Sequence, residues 1–84
     1  MRKPTIHING TSPQALAEAY RKAREAVVEA YGAMADCAPN ARDYYTQGEG
    51  AFKEAVEEYG NRVVSLKKIG EELYELLEHC LDNS

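Results

Sequence analysis

The sequence predicts an all-α fold. The expected architecture is an antiparallel helical hairpin with a short N-terminal β-strand, assembling as a homo-oligomeric helical bundle. Three observations predict it. Two long segments repeat apolar residues every three or four positions. The segment between them is rich in turn-forming residues. Each helical segment also carries a second apolar stripe that one partner helix cannot cover. The chain reads as a single domain over 1–84, with a strand over 4–9, a helix over 13–37, a loop over 38–49 and a helix over 50–81.

The strand is expected because Thr5, Ile6, His7, Ile8 and Asn9 alternate polar and apolar, closing on Asn9-Gly10, a turn signal. A lone strand has no edge to pair with, so it must lie on a helix or meet a copy of itself. Ser12 then offers an N-cap oxygen, and Pro13 suits the first helical position, where a missing N–H costs nothing. In the first helix Leu16, Tyr20, Ala23, Val27, Ala30, Met34 and Cys37 are spaced 4, 3, 4, 3, 4, 3, a full apolar seam. Pro39 and Asn40 should stop it. Thr46 and Glu49 have capping-box spacing at the entry to the second helix. That helix repeats the rule with Phe52, Val56, Tyr59, Val63, Leu66, Gly70, Leu73, Leu77 and Cys80. Matched seams joined by a short loop predict the hairpin. The small Ala23, Ala30 and Gly70 are expected to leave room for large neighbours, and the strand to cover the longer second helix's overhang.

Flanking stripes run along Ala19, Ala26 and Ala33 on the first helix and along Ala55, Ile69 and Leu76 on the second, where Arg62 interrupts. Two helices bury one stripe against each other, and small scaffolds rarely offset the entropy of ordering, ~1.5 kcal/mol per residue, with so thin a core. A homo-oligomer, most simply a dimer forming a four-helix bundle, is therefore expected; the plainer alternative is a monomer whose strand and loop cover the extra stripe.

Composition removes several function classes. At 84 residues the chain is too short for a two-domain enzyme with its own cofactor fold. No apolar run approaches the ~20 residues of a membrane span, and His7 and Asn9 break the first apolar stretch where a signal peptide would need it continuous. The net charge of -4 does not suit a duplex nucleic-acid binder. The charge is uneven. Residues 1–45 hold six basic and five acidic side chains, whereas residues 46–84 hold four basic and nine acidic. A small anion can thus find a locally basic site on an acidic protein, but a long polyanion meets repulsion.

The chemistry-bearing residues are few. Cys37 and Cys80 end the two helices, so a hairpin holds them ~40 Å apart by helix rise, beyond the roughly 7 Å a disulfide spans. Both sit on seam positions and read as small buried hydrophobes, as suits a reducing cytoplasm. No pair with metal-ligand spacing is present; Glu75 and His79, at i and i+4, read as a surface ion pair. No nucleophilic triad and no phosphate-binding Gly-rich loop is visible, so neither metal, cofactor nor enzymatic activity is expected. Arg21, Lys22 and Arg24 read as solvated or paired with Glu18, Glu25 and Glu29.

Two segments remain as candidate binding sites. In the loop, Asn40, Arg42, Asp43, Tyr44, Tyr45 and Gln47 cluster where no helical period calls for aromatics. Arg supplies a planar fork for phosphate or carboxylate, Tyr a stacking face, and Asn and Gln hydrogen-bonding edges. The plainer alternative is a packed connector in which Asp43 caps the second helix, Arg42 pairs with a carboxylate and both rings cover the hairpin end. In the N-terminal segment, His7 and Asn9 beside a helix N-terminus can face an anion. The plainer alternative there, a strand, turn and cap, accounts for every residue except His7.

The stretch His7-Ile-Asn-Gly-Thr-Ser12, a helix, and then Pro39-Asn-Ala-Arg-Asp-Tyr-Tyr-Thr-Gln-Gly48 resembles a group of small, mostly uncharacterised bacteriophage and prophage proteins. The likeness spans nearly the whole chain, and the loop is its most specific part. Related chains read Asn-Gly-Arg and Tyr-Pro-Gln where this one has Asn40-Ala41-Arg42 and Tyr45-Thr46-Gln47. The resemblance implies an accessory role in the host bacterial cytoplasm, often counter-defence. One such class sequesters cyclic or ADP-ribose-derived signalling nucleotides between subunits. Another blocks a host protein such as a CRISPR effector. The first expectation is therefore a homo-oligomeric binder of a small anionic nucleotide-like ligand. The alternative is a protein-binding inhibitor or adaptor docking through the acidic second helix, and a virion component is a third possibility.

Overall fold

Ser12 starts the first helix as its sequence chemistry requires. In the computed structural model, which describes residues 1–83, its Oγ accepts from the Ala15 N–H at 3.1 Å and its carbonyl accepts from Leu16 at 3.0 Å. Helix α1 runs Pro13–Ala33 and helix α2 runs Ala51–Asp82. They pack against each other as a two-helix hairpin, an elongated body of 61 × 21 × 16 Å. No strand is present among the described residues.

The expected strand over 4–9 is the first correction. Without an edge to join, its backbone takes side-chain and turn partners instead. The Pro4 carbonyl lies 2.7 Å from His79 Nε2 on α2, and the Gly10 N–H closes a turn on the His7 carbonyl at 3.1 Å. Pro4 and Ile6 are half-buried. The segment therefore does lie along the overhang of α2, but as an irregular strap. Because a carbonyl can only accept, His79 Nε2 carries the proton of that bond. The expected Glu75–His79 ion pair does not form: His79 turns to the strap, and Asn83 Nδ2 donates to the His79 carbonyl at 2.7 Å.

The second correction concerns the boundaries. Instead of continuing to residue 37, α1 tightens into a single 3₁₀ turn, Met34–Cys37, before Ala38 turns extended ahead of Pro39. The loop over 38–49 is itself largely coiled into two such turns, Ala41–Asp43 and Tyr45–Gln47. The Thr46–Glu49 capping box does not form, because Thr46 is held inside the second turn. Gly50 serves as N-cap of α2 with φ 87°, a left-handed conformation that favours glycine, and its carbonyl accepts from Glu54 at 2.9 Å.

The seam is the third correction. Leu16, Tyr20 and Val27 of α1, Met34 of the 3₁₀ turn, and Tyr59, Val63, Leu66, Gly70, Leu73 and Leu77 of α2 are all half-buried, as a shared seam requires. The buried residues described are Ala17 and Cys80, of which Cys80 is wholly shielded from solvent. Ala23, Ala30 and Cys37, and Phe52 and Val56 at the start of α2, are exposed, contrary to expectation, and Arg24 is half-buried where Ala23 was expected. Tyr20, Val27 and Met34, seven residues apart, all stay half-buried, so the face is kept. Alongside them the inward positions move by one residue, to Ala17 and Arg24, and leave Ala23 and Ala30 outside. Across the hairpin, the Tyr59 hydroxyl donates to the Met34 carbonyl at 2.9 Å and satisfies an orphan acceptor at the end of α1.

Candidate functional site

The loop is built by short-range hydrogen bonds. Asn40 Oδ1 accepts from the Arg42 N–H at 3.1 Å, and its carbonyl accepts from Asp43 at 3.0 Å. Tyr44 then bonds back to Ala41 at 3.1 Å, and Gln47 to Tyr44 at 3.0 Å. Consecutive tight turns point successive side chains different ways. Tyr44 goes inward, half-buried, with its ring centroid 6.3 Å from that of Phe52. Tyr45 goes outward and is 78% exposed.

Behind Tyr44 lies a recess of about 510 Å³ between the loop and α2. Met34, Pro39, Tyr44 and Tyr59 give it apolar and aromatic walls, and Gln47, Glu54, Glu58 and Arg62 its polar ones. Arg62 is 3.8 Å from Glu58, so part of its charge is already engaged. Of the residues expected to bind a ligand, the recess gathers Tyr44 and Gln47. Asn40, Arg42, Asp43 and Tyr45 are exposed on the outer side of the same tip. Asn40 is spent in part on the turn. The connector alternative also changes, because Asp43 does not cap α2 and Arg42 makes no ion pair among the described residues.

His7 and Asn9 are elsewhere. They precede α1, whereas the loop follows it, so the ~31 Å length of a 21-residue helix separates the two segments within one chain. Their turn is tight: a Cβ on Gly10 would come within 2.9 Å of His7 Nε2, which places the imidazole against the Gly10 backbone. Ile8, at the tip of this turn, is 97% exposed.

A second recess, about 520 Å³, opens on one flank between the helices around Val27, Val28, Tyr31, Leu66 and Tyr74. Its polar neighbours are Arg24, Lys67, Glu71 and Glu75. Arg24 lies over the Tyr74 ring, 4.9 Å from its centroid, a cation–π contact rather than the expected solvated or Glu-paired state. The Glu78 carboxylate, by hydrogen bonding and by its charge, pushes the Tyr74 phenol pKa up. Neither this groove nor the role of Arg62 was anticipated. The available signal was that Arg24 and Arg62 each fall within, or beside, an apolar row. Arg21, by contrast, bonds Glu18 and Glu25 at 2.6 Å each, as the charge pattern implied.

Among the described residues, no group of three or more His, Cys, Asp or Glu side chains could hold a metal ion, and both cysteines are free. No described helix is long and apolar enough to cross a membrane. No family model, curated protein or solved structure matches the chain.

Proposed function

We propose that this chain is a bacteriophage-type accessory binding protein rather than a catalyst. In this reading it acts in the host bacterial cytoplasm as a counter-defence factor, sequestering a small anionic nucleotide-like signalling molecule in an oligomer. The observation that carries the reading is the hairpin tip, where the Arg42 guanidinium makes no ion pair among the described residues and the Tyr45 ring is 78% exposed. The recess behind them offers Tyr44, Tyr59 and Gln47 to a base or ribose. Glu54 and Glu58 in that recess repel an anion, so the phosphate belongs on the outer side with Arg42. Thermal melts with cyclic di- and trinucleotides and ADP-ribose derivatives test this. At a hundredfold excess over Kd, a true ligand stabilises by ~2.7 kcal/mol. Arg42→Ala should remove the shift and leave the ligand-free melt in place. A folded protein that responds to no member of the panel overturns the reading.

The flank groove supports a second reading, a protein-binding inhibitor or adaptor acting through α2. Its apolar floor and the carboxylates Glu71 and Glu75 suit an amphipathic helix of a partner. Charge reversal at Glu71 and Glu75 should then abolish partner capture and weaken its salt dependence.

A further inference from the structure

We infer, resting on the leading reading for a nucleotide-like ligand at the hairpin tip, that the base its recess admits is guanine, and that the Glu54 carboxylate reads it by accepting from N1–H and the 2-amino group. At about 510 Å³ the recess falls in the range of small-ligand sites, ~300–1,000 Å³. Its aromatic wall is anchored on both sides. The Tyr59 hydroxyl is held on the Met34 carbonyl at 2.9 Å, and Tyr44 is half-buried beside Phe52. Rings of this kind stack on any base, because every base has a π-face. The wall therefore admits a base without choosing one.

The choice falls to the polar lining, Gln47, Glu54, Glu58 and Arg62. Glu54 and Glu58 are four residues apart and share one face of α2. A carboxylate only accepts hydrogen bonds, and its two oxygens receive a pair of parallel donors. Glu54 makes no ion pair among the described residues, whereas Glu58 has Arg62 at 3.8 Å. Glu54 thus brings both oxygens to a ligand. Guanine alone among the bases sets two neighbouring donors, N1–H and the 2-amino group, on one edge with no acceptor between them. On adenine and cytosine a ring-nitrogen acceptor lies beside the amino donor, and on uracil a carbonyl flanks N3–H on each side. Each of those edges meets a carboxylate with repulsion.

Guanine O6 and N7 are acceptors and need donors. Gln47 has an amide NH₂, and the 3.8 Å approach of Arg62 to Glu58 is longer than a hydrogen bond, so its N–H groups are left for those atoms. The phosphates stay on the outer side with Arg42, away from both carboxylates. Glu54 has a plainer role as well, since a carboxylate in the first turn of α2 complements the helix dipole. That contribution is blind to the base, so base preference separates the two roles.

The test is calorimetric titration of the full-length chain with cyclic di-GMP, cyclic di-IMP, cyclic di-AMP, cyclic di-UMP and ADP-ribose. Cyclic di-IMP lacks only the 2-amino groups, so that comparison needs no variant. Cyclic di-GMP should bind tightest, and loss of the 2-amino groups should raise Kd roughly tenfold to a hundredfold. Glu54→Gln should remove most of that preference while circular dichroism shows unchanged helicity. Arg42→Ala should weaken every member alike, because a phosphate contact carries no base identity. A chain that takes cyclic di-IMP, cyclic di-AMP or ADP-ribose as tightly as cyclic di-GMP overturns the guanine assignment and leaves the leading reading standing. A guanine preference that survives Glu54→Gln overturns the role of Glu54 in the same way. A folded chain that binds no member of the panel overturns the leading reading, and the guanine assignment with it.

Discussion

Single residues hold this hairpin together where its core is thin. Tyr59 contributes both a ring in the seam and a hydroxyl on the Met34 carbonyl, 2.9 Å away and partly shielded from water. Tyr59→Phe keeps the ring and strands the acceptor, so urea denaturation should show a loss of about 0.5–1.5 kcal/mol. The Arg21 clasp is of another kind. Its hydrogen bond to Glu18 lowers the pKa of that carboxyl below the ordinary glutamate value, and the nearby charges of Arg21 and Lys22 act in the same direction. A depressed folded-state pKa contributes stability that is fully present above the ordinary glutamate value and is lost as pH falls through the folded value. Stability curves of the parent and Glu18→Gln, measured from pH 6 to pH 3, should therefore converge on the acid side. Because these groups are exposed, the difference should also shrink in high salt. The Glu18–Arg21–Glu25 clasp was readable in the chain, since i, i+3 and i+4 spacing places the groups together on any helix. The Arg24–Tyr74 stack was not, because its two members are fifty positions apart in sequence.

At the scale of elements, α2 carries two interior glycines whose presence the hairpin does not demand. A Cβ at Gly70 would meet Val27 Cγ1 at 3.5 Å, an ordinary contact, and one at Gly60 would meet nothing within 4 Å. Glycine inside a helix costs roughly 0.5–1 kcal/mol relative to alanine. Gly60→Ala and Gly70→Ala should each raise stability by about that amount in chemical denaturation. The glycines bounding the loop behave oppositely. Gly48 at φ 102° and Gly50 at φ 87° lie where L side chains are strained. Gly50→Ala should lower the thermal midpoint, at a cost of order 1 kcal/mol or more, as the entry to α2 is forced to rearrange. Helix starts were the more legible boundaries, because Ser12-Pro13 is local chemistry. The end of α1 was not, since the last turn tightens to meet the Met34–Tyr59 bond from the other helix.

For the molecule as a whole, the radius of gyration of 18.4 Å compares with ~12 Å for a globular domain of this length. Such a shape leaves large apolar side chains such as Ile8, Val64 and Ile69 exposed. If copies associate as the proposed function requires, the midpoint of thermal unfolding should rise with total protein concentration, because dilution favours the separated chains. A midpoint independent of concentration across a hundredfold range would mean that one chain carries all its own stability. The residues of the chain suffice for two helices, a capped start at Ser12, a glycine-bounded loop and a stripe too many for one hairpin, because periodicity, capping and φ preference act within a few neighbours. Packing in three dimensions had to decide which of the adjacent stripes turned inward and how the N-terminal segment ran. It also separated His7 and Asn9 from Arg42, and divided the loop tyrosines between recess and solvent. The physical reason is long range in both senses. Which of two adjacent rows on α1 turns inward depends on contacts with α2, where Arg24 meets the Tyr74 ring fifty positions away, and the strap is anchored to His79, 75 residues further along the chain.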